Sequence, residues 1–94
     1  GTFAKSGLLD AAAAHLARKA YRDAHGLCMQ ALQQDPATPR AFYLLGILTA
    51  DHDNHAKAVD LFARALTLGG PRADVLAQKA RSEIALLRRE DAVR

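Results

Sequence analysis

PRAFYLLGILTADHDNHAKAVDLFARALTLGGP, residues 39–71, decides the fold. It reads as two amphipathic helices joined by a short polar turn. The first is predicted over about Pro39 to Asp51, with Thr38 as N-cap and Pro39 at the first helical position, where its missing N–H costs nothing. Phe42, Leu45, Ile47, Leu48 and Thr49 give this helix bulk, and Gly46 lets a neighbouring backbone come close. The turn is Asp51-His52-Asp53-Asn54-His55. The second helix is predicted over about His55 to Leu68. Its Val59, Phe62, Ala65 and Leu66 recur at three- and four-residue spacing and share a face. Gly69, Gly70 and Pro71 stop it. Two helices with sticky faces, joined head to tail, need neighbours.

The preceding residues supply one. Sliding the chain along itself until Ala24 meets Ala58 also lays Leu27 on Leu61, Ala31 on Ala65 and Leu32 on Leu66. A period of roughly 34 residues in helix–turn–helix units is the mark of a solenoid. The hairpin resembles a tetratricopeptide repeat: Phe42, Leu45, Gly46, Ala58, Phe62 and Ala65 match that family's signature in type and spacing. Thr49 stands where a Tyr is usual, and Gly70-Pro71 shifts the usual terminal Pro by one. The unit before it matches at Tyr21, Ala24, Ala31, Leu32, Asp35 and Pro36. Leu8, Ala11, Ala12 and His15 match poorly, and Cys28 replaces an aromatic. The resemblance covers about residues 5–72. It implies an all-α fold of antiparallel helix–turn–helix repeats, stacked as a short right-handed superhelix. One domain over residues 1–94 is expected, with repeats at about 5–38 and 39–72 and a further helix at about 72–89.

Ninety-four residues allow one small domain, and half of them are hydrophobic. A chain this short exposes much of its surface, and stacking repeats extends the core. Thirteen basic and ten acidic side chains leave a formal charge of +3. The charges are dispersed, whereas a nucleic-acid interface would gather cations on one face, so no nucleic-acid partner is expected. One cysteine excludes an internal disulfide. No apolar run approaches the roughly 18 residues of a membrane span, and no signal peptide is visible, so a cytoplasmic protein without membrane insertion is expected. The Gly-Thr start fits a processed chain or a piece of a longer one.

Residues 1–6 read as a lead-in, with Ser6 capping a first helix from about Gly7 to Arg18. Its run Ala11–Ala14 favours helix but fills little space, so Leu8, Leu9 and Leu16 carry the contacts. A break at Arg18-Lys19 leads to a second helix, about Ala20 to Gln34, with Ala24, Leu27, Cys28, Ala31 and Leu32 inward. Gly26 weakens its middle by roughly 1 kcal/mol against alanine, which points to a neighbouring helix crowding in there. Asp35 to Pro39 is a turn. The fifth helix, about Arg72 to Arg89, carries a stripe of Leu76, Ala80, Ile84 and Leu87, with Val75, Ala77 and Leu86 beside it. It is either a capping helix or the first helix of a truncated third repeat. Glu90 to Arg94 is expected to fray.

Little here points to chemistry. The Asp51–His55 run holds metal-ligand types, but in no metal-binding spacing, and polar residues belong in a turn. His15 lies on the signature face as an inter-helix contact. Cys28 occupies an inward position, where a thiol acts as a small hydrophobe. Met29 is expected to be partly exposed. No phosphate loop follows a strand, and no Ser-His-Asp set has geometry behind it. No enzyme activity and no cofactor are expected.

What remains is a surface. In the tetratricopeptide family, particular positions of each unit's first helix line the concave side. By that resemblance they are Ser6, Leu9, Ala13, Leu16 and Ala17, then Arg40, Tyr43, Ile47, Ala50 and Asp51, then Asp74, Ala77, Arg81, Ile84 and Ala85. Leu9, Ala13, Arg40, Tyr43, Ile47, Ala77 and Arg81 are the candidate peptide-binding groove. Tyr and Arg are typical interface anchors. A subclass that clamps chaperone C-termini needs asparagines where this chain has Ala13 and Ile47, so an apolar peptide or helix is the expected partner. The alternative is a substrate-recruiting or oligomerisation module of a larger enzyme. Self-association is also expected, through Leu8, Leu9 and Leu16 at one end or Leu86 and Leu87 at the other, by end-to-end packing or domain exchange.

Overall fold

A computed structural model describes residues 4–93, with side chains through residue 90. It is all helical among those residues: α1 Lys5–Ala17, α2 Tyr21–Gln34, α3 Pro39–Asp51, α4 His55–Gly69 and α5 Ala73–Val93. Each helix packs against its near neighbours only. α1 touches α2 and α3, α3 touches α4 and α5, and α1 reaches neither α4 nor α5. The result is a row measuring 54 × 28 × 19 Å. This packing is consistent with a helical repeat. No described helix is long and apolar enough to cross a membrane.

The repeat period of the sequence reappears in the backbone. Lys19 closes the α1–α2 turn at φ 63°, and Asp53 closes the α3–α4 turn at φ 65°. Lys19 N–H donates to Leu16 O at 2.9 Å, and Asp53 N–H to Ala50 O at 2.9 Å. Ala20 N–H reaches His15 O at 2.8 Å, and Asn54 N–H reaches Thr49 O at 2.9 Å. Each first helix therefore ends on the same left-handed residue, and its last carbonyls are satisfied in the same way.

The core forms two clusters. Leu8, Leu9, Ala12, Leu16, Ala24, Cys28, Ala31, Ala41, Leu44 and Leu45 make the larger. Ala58, Phe62, Ala65 and Val75 make the smaller. Tyr43 and Ile47 pack against both and join them. Phe62 is fully buried. It occupies the space left by Gly46, where an added Cβ would collide with the Phe62 ring edge. The close neighbour of Gly46 is thus a ring, not a backbone.

Several local expectations change. α1 starts at Lys5, with Ala4 as N-cap and no side-chain cap, so Ser6 lies inside the helix. Leu8 N–H bonds Ala4 O at 3.1 Å, and Lys5 Nζ pairs with Asp35 at 2.9 Å, which holds the earlier start. Thr38 is the N-cap of α3 but its hydroxyl does not cap. It donates to Asp35 O at 2.6 Å instead, tightening a turn in which the Asp35 carboxylate also accepts from Ala37 N–H at 3.0 Å. Gly26 is exposed with nothing within 4 Å of where a Cβ would stand, so no helix crowds it. α5 runs on through Val93, past the tail expected to fray from Glu90; Arg94 and the first three lead-in residues lie outside the described set.

The facing of α5 is settled by which of its stripes meets α4. Its buried residues, among those described, are Val75 and Ser82, while Leu76, Ile84 and Leu87 are 47%, 48% and 59% exposed. Set back by one repeat, Val75 and Ser82 fall on Ala41 and Leu48, the side of α3 that meets the preceding hairpin. α5 presents the equivalent side to α4, and its richest apolar stripe points away.

Candidate functional site

The first helices of the row, α1, α3 and α5, lie side by side and enclose two hollows. An open one of about 440 Å³ sits between α1 and α3. Ala13, Leu16 and Ala17 form one wall, Leu44 and Ile47 the other, with Lys19 and Asp51 at the end. The α1 wall is apolar and shallow because α1 offers mostly alanine on this side. A smaller hollow of about 90 Å³ lies between α3 and α5. Pro39, Arg40, Tyr43 and Ala65 line it from one side, and Arg72, Asp74 and Val75 from the other.

The predicted groove residues divide. Ala13 and Ile47 meet across the first hollow, and Arg40 and Tyr43 share the second. Leu9 is 3% exposed and belongs to the core, not to a binding floor. Ala77 and Arg81 are exposed on α5 and line neither hollow. Arg40 ion-pairs with Asp10 at 2.6 Å, tying α3 to α1. Tyr43 rests its ring against Phe62, centroids 6.0 Å apart. Burial, then the nearby Asp74 charge, raises the Tyr43 phenol above its ordinary value, so it stays a neutral donor at physiological pH.

The turn residues are spoken for. Tyr21 donates to Asp51 at 3.1 Å and stands edge-on to His52, ring centroids 4.5 Å apart. His52 Nδ1 donates to Leu48 O at 2.8 Å. Arg89 from α5 binds both the carboxylate and the backbone oxygen of Asp53. Among the described residues no three His, Cys, Asp or Glu side chains converge on one point. His15 accepts from Arg18, one turn on in its own helix, at 2.7 Å. Another hollow, on the α1–α2 side, is lined by His15, Arg22, Asp23, Gly26, Leu27 and Gln30.

One constellation was not visible from spacing. His55 Nδ1 lies 3.0 Å from the Ser82 hydroxyl, and its Nε2 lies 3.1 Å from Asp53. With the ring proton on Nε2 toward Asp53, Nδ1 accepts from Ser82. The order Ser–His–Asp invites comparison with a hydrolytic triad, but Ser82 is 1% exposed, sealed between α4 and α5. A nucleophile must reach its substrate. The chain of contacts fastens the α3–α4 turn to α5 instead. Cys28 is likewise sealed, and burial pushes its thiol up to about 11. It is therefore protonated and unreactive near neutral pH.

No family model matches the chain, and a search of curated proteins finds no match.

Proposed function

We propose that this chain is a protein-interaction scaffold. It captures an apolar peptide segment or short helix along the α1–α3–α5 side, with the α1–α3 hollow as the main seat. The observation that carries this reading is the hollow itself, walled by Ala13, Leu16, Ala17, Leu44 and Ile47, with a cation and an anion, Lys19 and Asp51, at one end. An apolar trough with one charged end suits a peptide with two or three apolar side chains. Tyr43 adds a ring and a neutral hydroxyl in the adjoining hollow. The fold that goes with this function is a short right-handed tetratricopeptide-type stack. Its support is the recurrence of the same turn one repeat later and of small residues at matching crossings. The protein carries no catalysis of its own, in keeping with the sealed Ser82 and Cys28. A cytoplasmic setting belongs to the same reading. Nucleic acid is a poor partner, because Lys5, Arg40, Arg72, Lys79 and Arg89 each face a carboxylate rather than forming a free cationic stripe.

The test is panning of a random peptide display library on the purified chain. Selected peptides should share apolar residues at a fixed spacing. Ala17→Arg, at an exposed position on the hollow wall, should weaken binding of the selected peptide at least about tenfold with an unchanged helical spectrum. Binding untouched by Ala17→Arg would remove the hollow as the seat. Tyr43→Ala is a poor probe, since Tyr43 joins the two core clusters.

A further inference from the structure

α5 has two opposed faces. One, centred on Val75 and Ser82, packs against α4. On the other, Ala73, Leu76, Ala77, Ala80, Ile84 and Leu87 are all exposed. Set back by one repeat, Leu76 and Ala80 fall on Phe42 and Gly46. In the preceding hairpin that side of α3 is covered by α4, whose Phe62 fills the place of the missing Gly46 side chain. α5 thus repeats a surface that a helix covers one unit earlier, and leaves it bare.

We infer that a second copy of the chain covers this face, with the two α5 helices packed antiparallel across a two-fold axis near Ala80. The spacing of the stripe is its own mirror. Ala73, Leu76, Ala80, Ile84 and Leu87 follow one another at three, four, four and three residues. Turned end for end, Ala73 meets Leu87, Leu76 meets Ile84, and Ala80 meets Ala80. Small faces large at the ends, and the smallest pair sits where the helices cross, which lets them approach closely. The flanking charges pair under a reversal centred one residue on, at Arg81, which leaves them about 3 Å out of register with the stripe and within reach of long side chains. On one flank Arg72 comes opposite Glu90 of the copy and Lys79 opposite Glu83; on the other, Asp74 comes opposite Arg88. Of the charged residues, Arg81 alone meets its own copy, at an exposed position where its long side chain can swing toward water. Isologous contacts of this kind are self-complementary by symmetry.

The opposite end of the row offers no such surface. Leu8, Leu9 and Leu16 are buried in the core, and Leu86 is half-buried on the α4 side. Of the residues expected to carry self-association, only Leu87 lies in the exposed outer stripe of α5. One helix pair buries an area at or below the small end of stable interfaces, about 1,200 Å², so the dimer is concentration-dependent. The inference does not rest on the peptide-binding reading, since none of the stripe lines the α1–α3 hollow.

Sedimentation equilibrium of the whole chain from about 10 μM to about 1 mM reads the outcome. A monomer–dimer equilibrium is expected, and Ile84→Glu should raise its dissociation constant at least about tenfold while the helical spectrum and Ala17→Arg-sensitive peptide binding persist. Lys79→Glu and Glu83→Lys variants should each dimerise poorly alone and pair with one another when mixed. Under mild oxidation Ala80→Cys should form a disulfide dimer, whereas Ala73→Cys should not, because its copy lies about 20 Å away at about 1.5 Å rise per residue. A native chain that stays monomeric throughout overturns the inference. So does an Ile84→Glu variant that dimerises as before, or Ala73→Cys linking to itself as readily as Ala80→Cys, which would mean a parallel pair or another occupant.

Discussion

The hairpins α1–α2 and α3–α4 share one turn geometry and differ in what fills the helix crossing. Their turns close on the same left-handed position and the same hydrogen bonds. Ala24 and Ala58 are buried at matching sites, as are Ala31 and Ala65. The difference lies at one crossing. In the second hairpin Phe62 seats itself on Gly46; in the first, Cys28 and Ala12 hold the equivalent places. A large ring needs a residue without a side chain opposite it, and a small thiol tolerates a methyl. The two solutions fill matching crossings with paired volumes, large against none and small against small.

The comparison can be broken most sharply at Phe62. Phe62→Ala should cost roughly 3–5 kcal/mol in chemical denaturation, because the ring is fully buried and its cluster is small. A loss near zero would mean that the second hairpin does not depend on the crossing. Gly46→Ala should cost about 1–3 kcal/mol, since the new methyl would collide with the Phe62 ring, which packing holds in place. The same change in a Phe62→Cys background rebuilds the crossing of the first hairpin, and there it should cost little. A double-mutant cycle without that coupling would contradict the paired-volume account.

Cys28→Ala in the first hairpin should cost only about 1 kcal/mol near neutral pH. The thiol adds a pH signature. Its ordinary value is 9.0, and burial raises it to about 11 in the fold. The folded chain keeps a proton that the unfolded chain gives up, so this contribution is complete below pH 9.0 and is lost as pH rises through about 11. Cys28→Ala should flatten that alkaline fall, as followed by urea midpoints at stepped pH. The smallest effect is a gain. Gly26 is exposed, mid-helix and uncrowded, so Gly26→Ala should stabilise by about 0.5–1 kcal/mol.

Much of the second hairpin was legible because its punctuation is strong. Pro39 and the polar turn bound α3 at Pro39–Asp51, and Gly69-Gly70 stopped α4 within one residue of the expected end. The first hairpin was blurred by its alanines: they mark a helix but not which side is inward, so Ser6 was given a cap it does not form. The facing of α5 was not legible for a related reason. Periodicity finds apolar stripes without saying which one meets the bundle, and the side facing α4 holds a serine and a valine while the richer stripe faces out. Leu9 was placed in the groove by its register alone, yet its neighbours enclose it. The Ser82–His55–Asp53 contact left no signal at all, because residues 27 apart on different helices carry no common pattern.

The central functional claim is that a ligand lies along the first helices of the row. The most direct measurement is a ¹H–¹⁵N shift map of the intact chain with a library-selected peptide. Perturbations should gather on Ala13, Ala17, Ile47 and Asp51, around the α1–α3 hollow. Perturbations concentrated instead on Arg22, Gly26 and Gln30, around the α1–α2 hollow, would contradict the account.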